Sequence, residues 1–162
     1  MEIVSETESI YPAIRNVLVS AFPTALEADL VERLRQDGDL ALSLAASSGG
    51  EVAGHVAFSP LTAPFRALGL GPVAVRPDKQ RQGIGGRLIQ TGLAHAEQAG
   101  WQAIFVLGDP AYYGRFGFSV AEARGFASPY AGPYFMVLAL GRDGLPARSG
   151  DIGYAAAFRD LE

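Results

Sequence analysis

The spacing of apolar residues predicts an α/β (α+β) fold, a mixed and largely antiparallel central sheet flanked by helices. Three observations predict it. The apolar period alternates between strand and helix values in the order β-α-α-β-β-β-α-β-α-β-β. Two apolar runs, 41–46 and 52–59, are joined by Ser47-Ser48-Gly49-Gly50, the signal of an antiparallel hairpin. A strand, a helix and a second strand follow over 68–107, a crossover unit in the middle of the chain.

Each element has its own warrant. Residues Glu2 to Thr7 alternate and read as a short strand, and Thr7 is placed to cap a helix from Glu8 to Phe22. That helix carries Ile10, Ile14, Val17, Leu18 and Ala21 at helical spacing, and Pro23 ends it. A second helix, Ala25 to Gln36, puts Leu26, Leu30, Val31 and Leu34 on one face, with Gly38 beyond its end. After the hairpin, Pro60 to Pro64 is a loop and Leu68 to Val75 a strand stopped by Pro77. The longest helix runs from Gln82 to Gly100 with Ile84, Leu88, Ile89, Leu93 and Ala96 apolar. Ala103 to Leu107 is a buried type of strand, and Pro110 to Arg115 makes at most a short helix. Phe118-Ser119-Val120 and Tyr134 to Leu140 read as further strands. Residues 1–162 form one domain, in which about 141–162 is a docked C-terminal extension carrying Ile152, Tyr154 and Phe158.

Bulk properties narrow the function. The net charge of −4 argues against a nucleic-acid binder, which needs basic surface to neutralise phosphates. No apolar run approaches the roughly 18 residues of a membrane span, and no membrane partner is expected. The acidic, alternating N-terminus is not a secretory signal, and a cytoplasmic, bacterial-type enzyme is the expectation. The absence of cysteine excludes disulfides, thiolate metal sites and thiol nucleophiles, and no metal is expected. Positive charge is nevertheless gathered at Arg76, Lys79, Arg81 and Arg87, opposed there only by Asp78, as a small anion requires.

That cluster coincides with the most informative stretch, Gly71 to Leu88. A strand ends at Val75, the chain turns at Pro77, and Gly83-Ile84-Gly85 opens a helix. The first N–H groups of a helix have no internal partner, and glycines let an anion approach them closely. Taken alone, such a glycine pair is as often a tight turn or close helix–sheet packing. There is no G-x-x-x-x-G-K-[ST], so this is not a P-loop, and a dinucleotide fingerprint fits poorly.

Val75-x-Pro77-x-x-Gln80-x-x-Gly83-Ile84-Gly85-x-x-Leu88 resembles the acyl-CoA pyrophosphate loop of the GNAT acetyltransferases. Tyr113-Gly-Arg-Phe-Gly117-Phe118 is similar to that family's second hallmark, a tyrosine four residues before Gly-Phe. The element order matches as well, so the resemblance spans most of residues 1–140. The stretch from Gly108 to Phe118 and the tail Ser149-Gly-x-Ile-x-Tyr154-x-x-x-Phe158 look like the YhbS-like bacterial branch.

The resemblance implies a GNAT-type sheet with acyl-CoA in a cleft between the fourth and fifth strands. Acetyl-CoA is then the co-substrate, with its pantetheine arm on Val73, Ala74 and Val75 as an added strand. Its pyrophosphate falls on the backbone of Arg81, Gln82, Gly83, Ile84, Gly85 and Gly86, with Lys79, Arg81 or Arg87 for the 3′-phosphate. The implied reaction moves an acetyl group to a primary amine of a small molecule or peptide N-terminus. Tyr113 matches the acid that protonates the departing thiolate, with Tyr112 as fallback. Two residues are candidates for the base. Glu27 begins the second helix, where it also suits the helix dipole, and His55 lies in an apolar strand, where a structural role is commoner. Relatives carry an asparagine about seven residues before the tyrosine. Here Gly108-Asp109-Pro110 occupies that region, and Asp109 either replaces it or caps the helix. The alternatives are a non-catalytic acyl-CoA-binding sensor or interaction module, and a plain α/β domain whose glycine pair is only a turn. A homodimer is compatible with the family.

Overall fold

The computed structural model describes residues 1–161. Its elements, in order, are β1 (Glu2–Ser5), α1 (Tyr11–Ala21), α2 (Leu26–Asp37), β2 (Leu42–Ser48), β3 (Glu51–Pro60), β4 (Ala67–Val75) and α3 (Ile84–Gln98). Then come β5 (Ala103–Leu107), α4 (Pro110–Tyr113), α5 (Val120–Ala123), β6 (Phe126–Ala127), β7 (Phe135–Ala139) and β8 (Gly150–Asp151). Four 3-10 turns (Glu8–Ile10, Pro77–Lys79, Gly114–Phe116 and Ala156–Leu161) complete the described chain. Six strands form one sheet in the order β1-β2-β3-β4-β5-β7, and β6 pairs with β8 in a small second sheet. Within the large sheet only β4 and β5 are parallel. The mixed, largely antiparallel architecture read from periodicity is therefore the one adopted.

Local chemistry explains the boundaries. Gly49 and Gly50 both have positive φ (57° and 84°), the requirement of a two-residue turn whose twist suits a hairpin. Gly38 (φ 76°) ends α2 in the left-handed region, and the N–H of Asp39 returns to the carbonyl of Leu34 at 2.9 Å. Thr7 precedes the first helical turn without capping it through its side chain; its hydroxyl meets that of Ser9 at 3.0 Å. The expected strand at Phe118-Ser119-Val120 is reduced to a single bridge between Ser119 and Val137. The hydroxyl of Ser119 accepts from the N–H of Glu122 at 3.1 Å, so the chain turns into α5 instead of extending.

Strand alternation divides the core between the two faces of the sheet. On one face α3 buries Ile84, Leu88, Ile89 and Ala96 against Leu44, Val56, Phe58, Leu68, Leu70, Ile104 and Val106. On the other, α1 and α2 set Ile14, Val17, Leu18, Ala28 and Val31 on Ala45, Ala57 and Ala74. Beyond β4 on that same face, Phe105, Phe126, Phe135 and Ile152 close a third cluster. The expected extension 141–162 ends on Glu162, which lies outside the described residues. Within it Ile152 is buried, and Ala157 and Phe158 join Leu30 and Leu34 of α2. No helix among the described residues is long and apolar enough to cross a membrane.

Candidate active site

The parallel pairing of β4 and β5 runs only from Ala67↔Ala103 to Leu70↔Val106. At that point β4 is bulged against β3, where Val56↔Val73 is followed by Phe58↔Leu70, so that Gly71 and Pro72 together stand opposite Ala57. A bulge bends its strand, and proline and glycine are the residues tolerated there. Gly71 has φ 140° and precedes a cis Pro72. From Gly71 onward β4 continues to Val75 beside β3 alone, while β5 ends at Leu107 and turns into α4. Val73, Ala74 and Val75 thus border a gap with no strand on its β5 side.

The gap leads to the glycine loop. The side-chain amide of Gln80 donates to the carbonyl of Val75 at 3.2 Å, which ties the loop to the strand end. Arg81 (φ 67°) and Gly83 (φ 80°) are both left-handed, and Gly83 sits at the start of α3. Alternation of left- and right-handed residues turns successive N–H groups toward one side, the geometry of an anion nest. A groove of about 380 Å³ is lined here by Val75, Lys79, Gln80, Arg81, the 83–86 backbone, Tyr112 and Arg115. Lys79, Arg81 and Arg87 form no ion pair among the described residues, whereas Arg76 is held by Asp78 at 3.1 Å. A wider hollow of about 530 Å³ lies between α5 and residues 131–133. Its lining offers one charge, Arg124, and only the single-turn helix α5, whereas several cations and the start of a four-turn helix converge at the smaller groove.

The two tyrosines of α4 take different positions. The Tyr112 hydroxyl lies 3.3 Å from where a Cβ on Gly85 would stand, and Arg115 stacks over the Tyr112 ring at 4.7 Å. A Cβ on Gly85 would press on the Tyr112 hydroxyl, while Phe116 packs at ordinary contact distance from Gly86. Tyr113 turns the other way, its ring against the backbone of Gly108 and edge-on to Phe118 at 5.8 Å. Gly108 directly follows β5, so this ring stands at the mouth of the gap. Its hydroxyl has no hydrogen bond among the described residues. Burial, with a smaller contribution from Tyr112, pushes its pKa up to about 12. Arg115 went unread in the sequence because it occupied a variable position of the tyrosine motif; its spacing of three from Tyr112 was the available signal.

The two candidate bases are also separated. Glu27 lies in the first turn of α2, and its Oε1 is sealed from solvent without a hydrogen-bond partner. His55 is fully buried on β3, between Ala45 and Ala74 in register. Its Nε2 is 2.8 Å from the Ser43 hydroxyl, which donates to Glu6 at 2.6 Å, and Arg35 makes two bonds to that carboxylate at 2.8 and 2.9 Å. Burial, opposed in part by Glu6, lowers the His55 pKa to about 4. His55 is therefore one end of an interior polar chain and opens on no groove. Asp109 caps α4, accepting from the N–H of Ala111 at 2.9 Å.

This geometry has close parallels. Over residues 9–118 the chain matches the model of the acetyltransferase (GNAT) family. It is 42% identical over 129 residues to the uncharacterized N-acetyltransferase YjhQ of Escherichia coli K12, covering 74% of this chain and 71% of that protein. It is 37% identical over 153 residues to the uncharacterized N-acetyltransferase YhbS of the same strain, covering 91% and 92%. The crystal structure of E. coli YhbS in complex with CoA superposes with a TM-score of 0.91 at 35% identity, over 98% of this chain and 91% of that one. A GNAT family acetyltransferase from Brucella melitensis, in complex with acetyl-CoA, gives 0.82 at 38% identity over 97% of both. On fold, motif order and relatives alike, this chain belongs to the GNAT family of acetyltransferases.

Proposed function

We propose that the protein transfers the acetyl group of acetyl-CoA to a primary amine of a small molecule or peptide N-terminus by direct attack. The observation that carries this reading is the continuity of three features. A strand end unpaired on its β5 side (Val73 to Val75) runs from a gap in the sheet to an anion nest at Arg81–Gly86, with a neutral phenol at the mouth of the gap. Acetyl-CoA is long, thin and anionic at one end, and it needs these features in this order. The relatives crystallised with CoA and acetyl-CoA support the same choice of co-substrate.

The steps follow from the residues. The neutral amine attacks the thioester carbonyl carbon, whose oxygen takes a backbone N–H of the 73–75 segment. As the C–N bond forms and the C–S bond breaks, the Tyr113 hydroxyl gives its proton to the leaving sulfur. A phenol whose pKa is raised to about 12 is protonated at neutral pH, as a general acid must be. The proton lost by the amine goes to Glu27, directly or through water. Glu27 is preferred to His55 because its side chain is only half-buried at the start of α2, while the His55 ring is fully buried and engaged with Ser43.

Calorimetric titration with acetyl-CoA tests the site. The parent is expected to bind, and Gly85→Asp to weaken binding by about tenfold or more, since a carboxylate at the first turn of α3 opposes a phosphate. Gly85 is chosen over Gly83 because its φ is not positive, so the substitution adds charge without backbone strain. A folded parent that binds no acetyl-CoA would sink the proposal.

A further inference from the structure

The C-terminal segment is threaded across the sheet face that α1 and α2 cover. Gly150 and Asp151 pair with Phe126 and Ala127, and Thr62 and Gly153 exchange N–H···O bonds of 2.8 Å in both directions. Farther on, Ala155, Ala157 and Phe158 rest on Leu30 and Leu34 of α2. Between these anchors Tyr154 lies across β4. A Cβ on Gly69 would stand 3.1 Å from Cε2 of Tyr154, the ring carbon beside the one that carries the hydroxyl. The polar end of the ring therefore covers β4, two residues before Gly71, where the gap opens. Leu68 and Leu70 point toward α3, so Gly69 and Tyr154 share the opposite face, away from the glycine loop's helix.

The ring is fixed, edge-on to Tyr130 at 4.8 Å and to Phe158 at 5.3 Å. Its hydroxyl has no hydrogen bond among the described residues. The side chain is half-buried, and its hydroxyl is not among the sealed atoms, so it is open to an incoming group. The neighbourhood repeats the pattern. Side-chain atoms sealed without a partner among the described residues are Glu27 Oε1, His55 Nδ1 and Ser59 Oγ. Ser59 is the register partner of Gly69, hence on the same face as Tyr154. Glu27 stands three residues before Leu30 and seven before Leu34, on the α2 stripe that meets the tail. Two oxygens without donors and a free phenol thus lie on one face of the sheet, around the strand that leads into the gap.

The geometry points to Tyr154 as an acceptor-positioning residue whose hydroxyl bonds the incoming primary amine on the α1/α2 side of the gap. This inference rests on the amine-transfer reading above and adds to it. An ammonium group brings three N–H donors, and the unsealed Tyr154 hydroxyl is the acceptor it meets on this face, with the Glu27 carboxylate on the same side. The cofactor then comes from the α3 side and the amine from the other, and the tail residues 150–158 form part of the acceptor wall.

Tyr154→Phe is the test, because it keeps the ring on Gly69, Tyr130 and Phe158 and removes only the hydroxyl. Phenethylamine, spermidine, L-lysinamide and glycinamide are offered with acetyl-CoA, and released thiol is followed with Ellman's reagent. For the best acceptor, Tyr154→Phe should raise the amine KM about tenfold, while the acetyl-CoA KM and the thermal midpoint stay unchanged. An unchanged amine KM overturns this inference and leaves the transferase reading standing. So does a Tyr154→Phe protein that loses acetyl-CoA affinity or melts early, since the hydroxyl would then be structural. If the parent binds acetyl-CoA but transfers to none of the four amines, the amine-transfer reading falls, and the role of Tyr154 with it.

Discussion

Tyr112 and Tyr113 are adjacent in the chain and edge-on at 5.0 Å, yet one lines the anion groove and the other the mouth of the strand gap. Loss of an acid used only in the transition state lowers turnover without weakening cofactor binding. Tyr113→Phe is accordingly expected to reduce kcat by about 100-fold, with the acetyl-CoA Kd by calorimetry within about threefold of the parent. The interior chain Glu6–Ser43–His55 makes a different kind of prediction. His55 has a folded pKa of about 4 against 6.5 ordinarily, so between these values the unfolded chain binds the extra proton. Its contribution to stability is complete above pH 6.5 and declines as pH falls toward 4, by roughly 3 kcal/mol in all. Burial alone would push the Glu6 carboxyl up, but hydrogen bonds from Arg35 and Ser43 and the Arg35 charge outweigh it and hold the carboxyl below its ordinary value. Glu6 therefore adds a loss at still lower pH, where its unfolded form protonates first. Urea midpoints measured from pH 8 to pH 4 should begin to drop near pH 6.5, and His55→Gln should delay that drop to the carboxylate range.

At the scale of elements, α3 is held to the sheet by complementary shape. Gly92 lies in mid-helix, where glycine costs about 1 kcal/mol relative to alanine, so propensity alone would replace it. A Cβ there would collide with the Phe58 ring of β3. Gly92→Ala is expected to destabilise the fold by about 2 kcal/mol, against the trend for exposed helix positions, as equilibrium denaturation would register. A rise in stability would mean that Phe58 has room to turn away. The bulge at Gly71-Pro72 belongs to this scale too. The sequence showed a strand interrupted by Gly-Pro and identified it as one strand, correctly, without signalling that the interruption is where β5 stops pairing. Pairing partners are chosen across the sheet, so register changes are invisible along a single strand.

Across the whole molecule, the tail is part of the core. Ile152 is 3% exposed among Phe105, Phe126 and Val137. Ile152→Ala should therefore cost about 3 kcal/mol, the ordinary result of emptying a packed aliphatic site. A loosely attached tail would lose under 1 kcal/mol on the same thermal or urea measurement. Docking of residues 150–158 also ties α2 to the β3–β4 connection through Thr62 and Gly153.

The glycine loop, the tyrosine motif and the order of strands and helices were legible because each depends on residues close in sequence. A glycine pair at a helix start can be read from adjacent residues, and alternation identifies a half-buried strand without knowledge of its neighbours. The strand expected at Phe118–Val120 failed because a local capping serine, Ser119, prevailed over apolar content. What only the tertiary structure decided were relations between distant positions. Glu6, Arg35, Ser43 and His55 had to be brought together before His55 was seen as one end of an interior polar chain. Tyr154 acquired meaning only when laid on Gly69, and Glu27 only when its free oxygen was found on the same face. Sequence by itself determined the family, since the glycine loop, the tyrosine motif and the order of elements are local patterns. Burial and unmet hydrogen bonds are properties of the packed whole, and they decided which polar groups are left without a partner.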